Sequence, residues 1–147
     1  MEYGIYSNLS ITDDFSIFEF LSIGPKGVIV KRIMFTPTEV EEVFNLSLGD
    51  VTFFGELDAS SVSNNGDRNK ILATVAYCIE IFLNQYPERW VHFKGNSFGR
   101  TRLYRMAISA NLKFLESKFH IYSKVDNEFV PFQKNVHQDG FLVRIKP

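Results

Sequence analysis

The alternation of apolar and polar positions predicts an N-terminal β-hairpin. Residues 15–23 (FSIFEFLSI) and 27–35 (GVIVKRIMF) are rich in aromatic and β-branched side chains, and the turn signal GPKG separates them. Pairing the two segments across this turn places Glu19 opposite Arg32, which predicts a cross-strand ion pair rather than a catalytic acid. Both segments carry apolar residues on both faces, so we expect a sheet that is covered at least partly on both sides.

The segment after the hairpin has an ambiguous pattern. In residues 36–49, Thr38 could cap a short helical turn, with Glu41 as its capping-box partner. Residues 51–57 (VTFFGEL) predict a third strand, and the polar segment at 58–67 (DASSVSNNGD) predicts a loop.

Helical periodicity begins after this loop. Apolar residues from Ile71 to Leu83 recur at helical spacing, Asn65 or Asp67 can cap the start, and Pro87 ends the pattern. Cys78 lies beside this stripe and is expected to be a small core residue.

A second helix is predicted from about Gly99 or Thr101 to about Lys118. Its apolar residues cover a broad arc, so we expect it to be largely buried. Its remaining surface is a basic strip formed by Arg102, Arg105, Ser109 and Lys113.

The remaining apolar segments predict further strands. RWVHFKG lies between the two helices, whereas FHIYSKV, EFVPF and GFLVRIK follow the second one. Asp126 and Asn127 predict a tight hairpin turn, and Pro131 predicts that its strand lies at an edge. The fold class is therefore α+β, with a mixed, mostly antiparallel sheet, the order βββαβαββ and two main helices packed on it. The same order occurs in ribonuclease-H-like folds, and such a resemblance in topology says little about function.

Composition and length place limits on this picture. The 147 residues, 45% of them hydrophobic, predict one globular domain over residues 1–147. One cysteine allows no intrachain disulfide and no thiolate metal cage. The N-terminus lacks the features of a signal peptide, and no apolar run approaches the ~20 residues that span a bilayer, so we expect a soluble cytoplasmic protein without membrane contact.

Charge is divided unevenly although the net charge is only −1. Residues 33–67 hold seven acids and no Lys or Arg, whereas residues 89–115 hold six cations and no acid. Either the two segments pair with each other in the fold, or the second one presents a free basic surface.

The strand-to-helix segment KGNSFGRTRLYR, at 94–105, predicts an anion-binding site. The first turn of a helix offers unpaired backbone N–H groups and a partial positive charge, and arginines grip phosphate oxygens in pairs. The expected contacts come from Lys94, Ser97, Arg100, Arg102 and Arg105, with support from Asn64, Asn65, Asp67, His92 and Tyr104. The spacing matches neither the phosphate loop of nucleotide triphosphatases nor the dinucleotide fingerprint.

The sequence leaves several functions open. A phosphate of nucleic acid or of a nucleotide is the expected ligand, although a pI near 6.3 lies far from the basic footprint of nucleic-acid-binding domains. A non-catalytic protein-interaction module with a small protein partner, such as a component of a toxin–antitoxin-like pair, is the alternative. Metal-independent RNA cleavage would need His92 and Tyr104 as base and acid, and whether the protein is an enzyme stays open, as does its oligomeric state. No metal site and no cofactor are expected, since the three histidines are isolated along the chain.

Four segments together resemble a known but uncharacterised family. SNNGD at 63–67, YPERW at 86–90, RTRLYRMAI at 100–108 and the final FLVRIK are similar to a bacterial family of about 150 residues, a domain of unknown function. The resemblance spans nearly the whole chain after residue 15. It implies a compact single-domain bacterial protein and brings no activity with it.

Overall fold

The fold is a nine-stranded mixed sheet with helices packed against one face. The computed structural model describes residues 4–58 and 64–147. Along the chain, the elements are β1 (Ser10–Ile11), β2 (Ile17–Gly24), β3 (Gly27–Pro37), β4 (Val43–Val51), β5 (Leu57–Asp58), α1 (Arg68–Gln85), β6 (Trp90–Phe93), α2 (Phe98–Ala110), α3 (Leu112–Glu116), β7 (Phe119–Val125), β8 (Glu128–Pro131) and β9 (Gly140–Ile145). The α+β class with a mostly antiparallel sheet is confirmed.

Sheet order is β1-β2-β3-β4-β6-β9-β7-β8, with β5 paired to β4 beside this path. Only the β4–β6 pair is parallel within the described residues, and it joins an N-terminal antiparallel meander to a C-terminal antiparallel group in which β9 lies between β6 and β7. The last long strand of the first meander, β4, therefore adjoins β6. The likeness to ribonuclease-H-like folds concerns the order along the chain alone.

The β2–β3 hairpin has the predicted register. Glu19 lies opposite Arg32, and the side chains form an ion pair with 3.5 Å between Oε2 and Nη2. At the other end of the sheet, Asp126 and Asn127 both have positive φ (51° and 65°) in the turn between β7 and β8. β8, which contains Pro131, is the edge strand that the proline predicted.

The segment at 36–58 differs from its prediction. Residues 43–51 form β4 instead of a capped helical turn, because this strand is paired on both sides, with β3 and β6. The hydroxyl of Thr38 donates to the carbonyl of Val43 at 2.7 Å, so it closes the turn before β4. The predicted strand at 51–57 is mainly the turn between β4 and β5. The polar segment that follows lies partly outside the described residues.

The core lies between the inner face of the sheet and the helices. Phe82 of α1 stacks on Phe35 of β3 at a ring-centroid distance of 4.1 Å with an interplanar angle of 2°. Cys78 is fully buried, and burial raises the pKa of its thiol to about 12, as expected for a small core residue.

The outer face of the N-terminal sheet is open, contrary to the expectation that both faces would be partly covered. The apolar face is formed by Leu21, Ile23, Val28 and Val30, which are 36–63% exposed. Helices contribute to the core only on the other face among the described residues. No helix in these residues is both long and apolar enough to cross a membrane.

Candidate functional site

The start of α2 is held by the protein's own groups. Ser97 is the N-cap residue, and its hydroxyl accepts a hydrogen bond from the backbone N–H of Arg100 at 3.2 Å. The N–H of Gly95 donates to the hydroxyl of Thr101 at 3.0 Å. A side chain at Gly95 would lie only 2.5 Å from the nitrogen of Thr101, so a glycine is needed for this close approach. The absence of a side chain at Gly95 therefore lets the backbone of α2 pack closely against the loop that precedes it.

The five predicted anion contacts are divided among three places. Lys94 and Ser97 line a hollow of about 480 Å³ beside Gln138 and Asp139. Arg100 instead faces a second cleft, described below.

Arg102 and Arg105 line neither of these spaces. Arg102 is exposed, and Nη1 of Arg105 donates to the carbonyl of Val136 at 3.4 Å. Neither has a carboxylate partner within the described residues. The two arginines of the basic strip therefore lie on a different side of α2 from Arg100.

Arg100 meets the predicted supporting loop in a cleft of about 590 Å³, which we call the arginine cleft. Its walls come from β3, β4, the loop before α1, the first turns of α1, and α2. The lining residues of this cleft are Lys31, Leu48, Gly49, Asp50, Asn64, Asn65, Gly66, Asp67, Arg68, Asn69, Ile71, Leu72, Arg100, Leu103 and Tyr104. The structure thus brings together Asn64, Asn65, Asp67, Arg100 and Tyr104 of the predicted set.

Asn65 has a structural role in this wall. It is 1% exposed, and its Oδ1 accepts from the N–H of Lys26 at 2.7 Å. Its Nδ2 donates to the hydroxyl of Ser22 and to the carbonyl of Gly27, both at 3.1 Å. Because its amide is committed to the β2–β3 turn, Asn65 shapes the cleft instead of offering it polar groups.

Asp67 is oriented by two hydroxyl groups. Its Oδ2 accepts from Tyr6 and from Ser22, each at 2.6 Å. The pKa of the Tyr6 hydroxyl is raised by burial first and then by the hydrogen bond to Asp67. The other oxygen, Oδ1, is buried and has no hydrogen-bond partner within the described residues. One acceptor of this carboxylate is therefore unsatisfied.

Lys31 and Arg68 complete the cations of the cleft, and sequence reasoning missed both. Lys31 is 7% exposed and forms a cross-strand ion pair with Asp50. The available signal was its position, because Lys31 shares the inward face of β3 with Ile33 and a buried lysine needs a partner. Arg68 is exposed at the first residue of α1, directly after the predicted loop.

Tyr104 lies between the cleft and the core. Its ring packs edge-on against Phe93 at a centroid distance of 5.7 Å. Burial raises the pKa of its hydroxyl, and the positive charge of Arg100 partly opposes that rise. The hydroxyl makes no hydrogen bond to any residue that the structure describes. Tyr104 and Arg100 therefore line the same cleft.

His92 lies on the opposite side of the sheet from Tyr104. Neighbouring residues of a strand point to opposite faces, and it is Phe93 that contacts Tyr104. The Nδ1 of His92 is 3.2 Å from Oδ1 of Asn45, and burial followed by the charges of Lys124 and Lys94 lowers its pKa. The acid–base pair considered for RNA cleavage is not brought together. No cluster of three potential metal-ligating His, Cys, Asp or Glu residues occurs in residues 4–58 and 64–147.

One cation of the basic segment, Arg89, is surrounded by aromatic rings. Arg89 stacks over the rings of Tyr86 and Phe44, at 3.6 and 4.2 Å from their centroids. Such contacts stabilise a cation without a carboxylate. The aromatic surroundings of Arg89 thus account for one cation of the basic segment.

Comparison with known proteins gives a family and no activity. No curated protein and no solved structure matches the chain. A family model covers nearly all of it, which confirms the resemblance to an uncharacterised family. The chain belongs to the family of unknown function DUF6934, whose model matches residues 2–146.

Proposed function

We propose that this protein binds a small anion that carries a phosphate or carboxylate group in the arginine cleft. The observation that supports this proposal is the convergence of Arg68, Arg100 and Tyr104 on one concave space of about 590 Å³. Ligand pockets of proteins typically measure roughly 300–1,000 Å³ and combine apolar walls with a few polar groups. A small molecule suits such a cleft better than an extended nucleic-acid backbone.

Charge favours an anionic ligand. The lining holds three cations (Lys31, Arg68 and Arg100) and two acids (Asp50 and Asp67), a balance of +1. Lys31 and Asp50 neutralise each other, so the arginines carry the interaction with the ligand. Nη1 of Arg100 donates to Oδ1 of Asn96 at 3.4 Å, and a guanidinium has about five N–H donors, enough to bind an anion as well.

Titration with pyrophosphate at low salt, followed by calorimetry, tests the proposal. Arg100→Ala and Arg68→Ala should each weaken binding by roughly tenfold or more, as expected for a charge-assisted hydrogen bond of about 1.5–3 kcal/mol. Arg102→Ala is the matched control, because Arg102 is exposed and outside the cleft.

Two results would count against the cleft. One is equal weakening by all three arginine variants, which would indicate a diffuse charge effect. The other is tight, salt-dependent binding of single-stranded RNA that is lost in Arg102→Ala and Arg105→Ala but kept in Arg68→Ala. That pattern would move the site to the basic strip.

A protein-interaction role is the second candidate, and exposed aromatic residues favour it. Phe53 and Phe54 in the turn between β4 and β5 are 97% and 85% exposed. Arg32 donates to the carbonyl of Gly55 at 3.1 Å, which ties this turn to the side of β3 that carries Val30 of the apolar face. Large exposed apolar surfaces often mark interaction sites.

Sedimentation across a range of concentrations tests whether the partner is a second copy. Self-association that Phe53→Ser and Phe54→Ser abolish would support this second role. A monomer at every concentration would exclude a second copy as the partner.

A further inference from the structure

A second cavity lies next to the arginine cleft, between α1, α2, α3 and the inner face of the sheet. Its volume is about 230 Å³. A cavity of roughly 150 Å³ with a similar aliphatic lining stays dry and holds benzene, so this one has room for about eight or nine carbon atoms. Most of its wall is aliphatic, including Ala76 and Ile79 of α1 and Ala107 and Ile108 of α2.

The cavity and the cleft share a boundary. Arg68, Asn69, Leu72, Leu103 and Tyr104 line both of them. A molecule that places a charged group between the arginines of the cleft can therefore extend into the aliphatic cavity past Leu72 and Leu103. The polar end and the apolar end of such a molecule would each meet matching surroundings.

The same cavity explains why α2 is incompletely buried. Sequence periodicity predicts a largely buried helix, yet only Thr101 and Ile108 are buried in it, and Met106 is 50% exposed. Leu103, Ala107 and Met106 line the cavity. The apolar arc of α2 thus faces unfilled space in which another apolar group would fit.

We propose that the ligand is an amphipathic anion with an unbranched aliphatic chain of about eight carbons, whose head group contacts Arg68 and Arg100 and whose chain fills the cavity between α1 and α2. This inference rests on the proposed anion site and adds the chemical class of its ligand. A nucleobase is less suitable, because the wall around Ile79, Ala107 and Ile108 offers side chains without hydrogen-bonding groups.

The test compares chain lengths by NMR titration of the intact protein with butanoate, octanoate and octyl phosphate. Each buried methylene should contribute roughly fourfold in affinity. Octanoate, which has four more methylenes, should therefore bind on the order of 100-fold more tightly than butanoate. The tighter of the two eight-carbon ligands identifies the head group.

Two variants locate the chain. Ala107→Phe fills the cavity and should remove the preference for octanoate, whereas Ser109→Phe places the same ring on α2 outside the three spaces and should leave the preference unchanged. Ala76→Leu fills the cavity from α1 and provides a second measurement if Ala107→Phe fails to fold. Arg100→Ala should weaken octanoate binding by roughly tenfold.

The remaining outcomes separate the two proposals. If butanoate and octanoate bind equally tightly, and both bind more weakly to Arg100→Ala, the inference of an aliphatic chain is wrong and the anion site is still supported. A chain preference that survives both filling variants and is lost in Phe53→Ser would place the chain on the exposed aromatic turn and overturn the inference. An octanoate affinity unaffected by Arg100→Ala would overturn the contact between head group and arginine. Absence of binding by all three probes would overturn this inference, and the anion site would fall with it only if pyrophosphate also failed to bind.

Discussion

The two main helices are packed very differently although both sequences show apolar residues at helical spacing. α1 buries eight of its 18 residues, among them Phe82 and Leu83, which are fully inaccessible. α2 buries two of its 13 residues and turns its other apolar side chains toward a cavity. The comparison teaches that the same periodicity can serve two purposes. In α1 it supplies the core, and in α2 it supplies one wall of a binding space.

The largest expected contrast comes from removing one large side chain from each helix. Phe82→Ala should lower the free energy of unfolding by about 3–5 kcal/mol, because the ring leaves a cavity beside Phe35. Met106→Ala in α2 should cost less than about 1 kcal/mol, since this side chain is half exposed. Urea unfolding followed by circular dichroism measures both. Equal losses would mean that α2 belongs to the packed core after all.

A smaller effect is expected at the N-terminus of α2. Ser97→Ala should lower stability by about 1 kcal/mol, because the N–H of Arg100 loses its capping partner. Ser109→Ala in the interior of the same helix is the matched control and should be neutral, since no cap depends on it. A neutral Ser97→Ala would show that this helix start contributes nothing to stability, and a larger loss would show that α2 is more tightly coupled to the core than its burial suggests.

The smallest effect is expected in the pH dependence of stability, from His92 on the face of β6 that is turned away from α2. Folding lowers the pKa of His92, so neutral His92 is favoured in the folded protein. Its contribution to stability is present above pH ~6.5 and is lost as the pH falls through the lowered pKa. His92→Gln should flatten the acid side of the stability curve in this range. An unchanged pH dependence would argue that His92 is more solvated than its position suggests.

Local patterns predicted those parts of the fold in which neighbours along the chain also meet in space. The Glu19–Arg32 register and the Asp126–Asn127 turn each follow from a short segment, and α1 follows from one periodic run ending before Pro87. Local patterns did not predict β4, because polar Asn45 and Ser47 interrupt its apolar residues. Pairing with β3 and β6, which are remote along the chain, makes it a strand.

The candidate site was predictable only in pieces. Asn64, Asp67, Arg100 and Tyr104 were singled out because their segments have unusual composition, and the structure brings them to one cleft. Lys31 was missed because its partner, Asp50, becomes apparent only when β3 and β4 are aligned. Periodicity also cannot distinguish a packed interior from an unfilled one, so the cavity beside α2 had no signal in the sequence.

Both margins of the sheet resist extension by another polypeptide. β1 has only two residues, and the hydroxyl of Tyr6 accepts a hydrogen bond from the N–H of Ile23 at 3.1 Å where β1 no longer reaches. At the opposite margin, Pro131 lacks an N–H that could pair with an incoming strand. Growth of this protein into strand-linked polymers is therefore disfavoured, and any oligomer would have to be built by stacking surfaces instead of by lengthening the ladder.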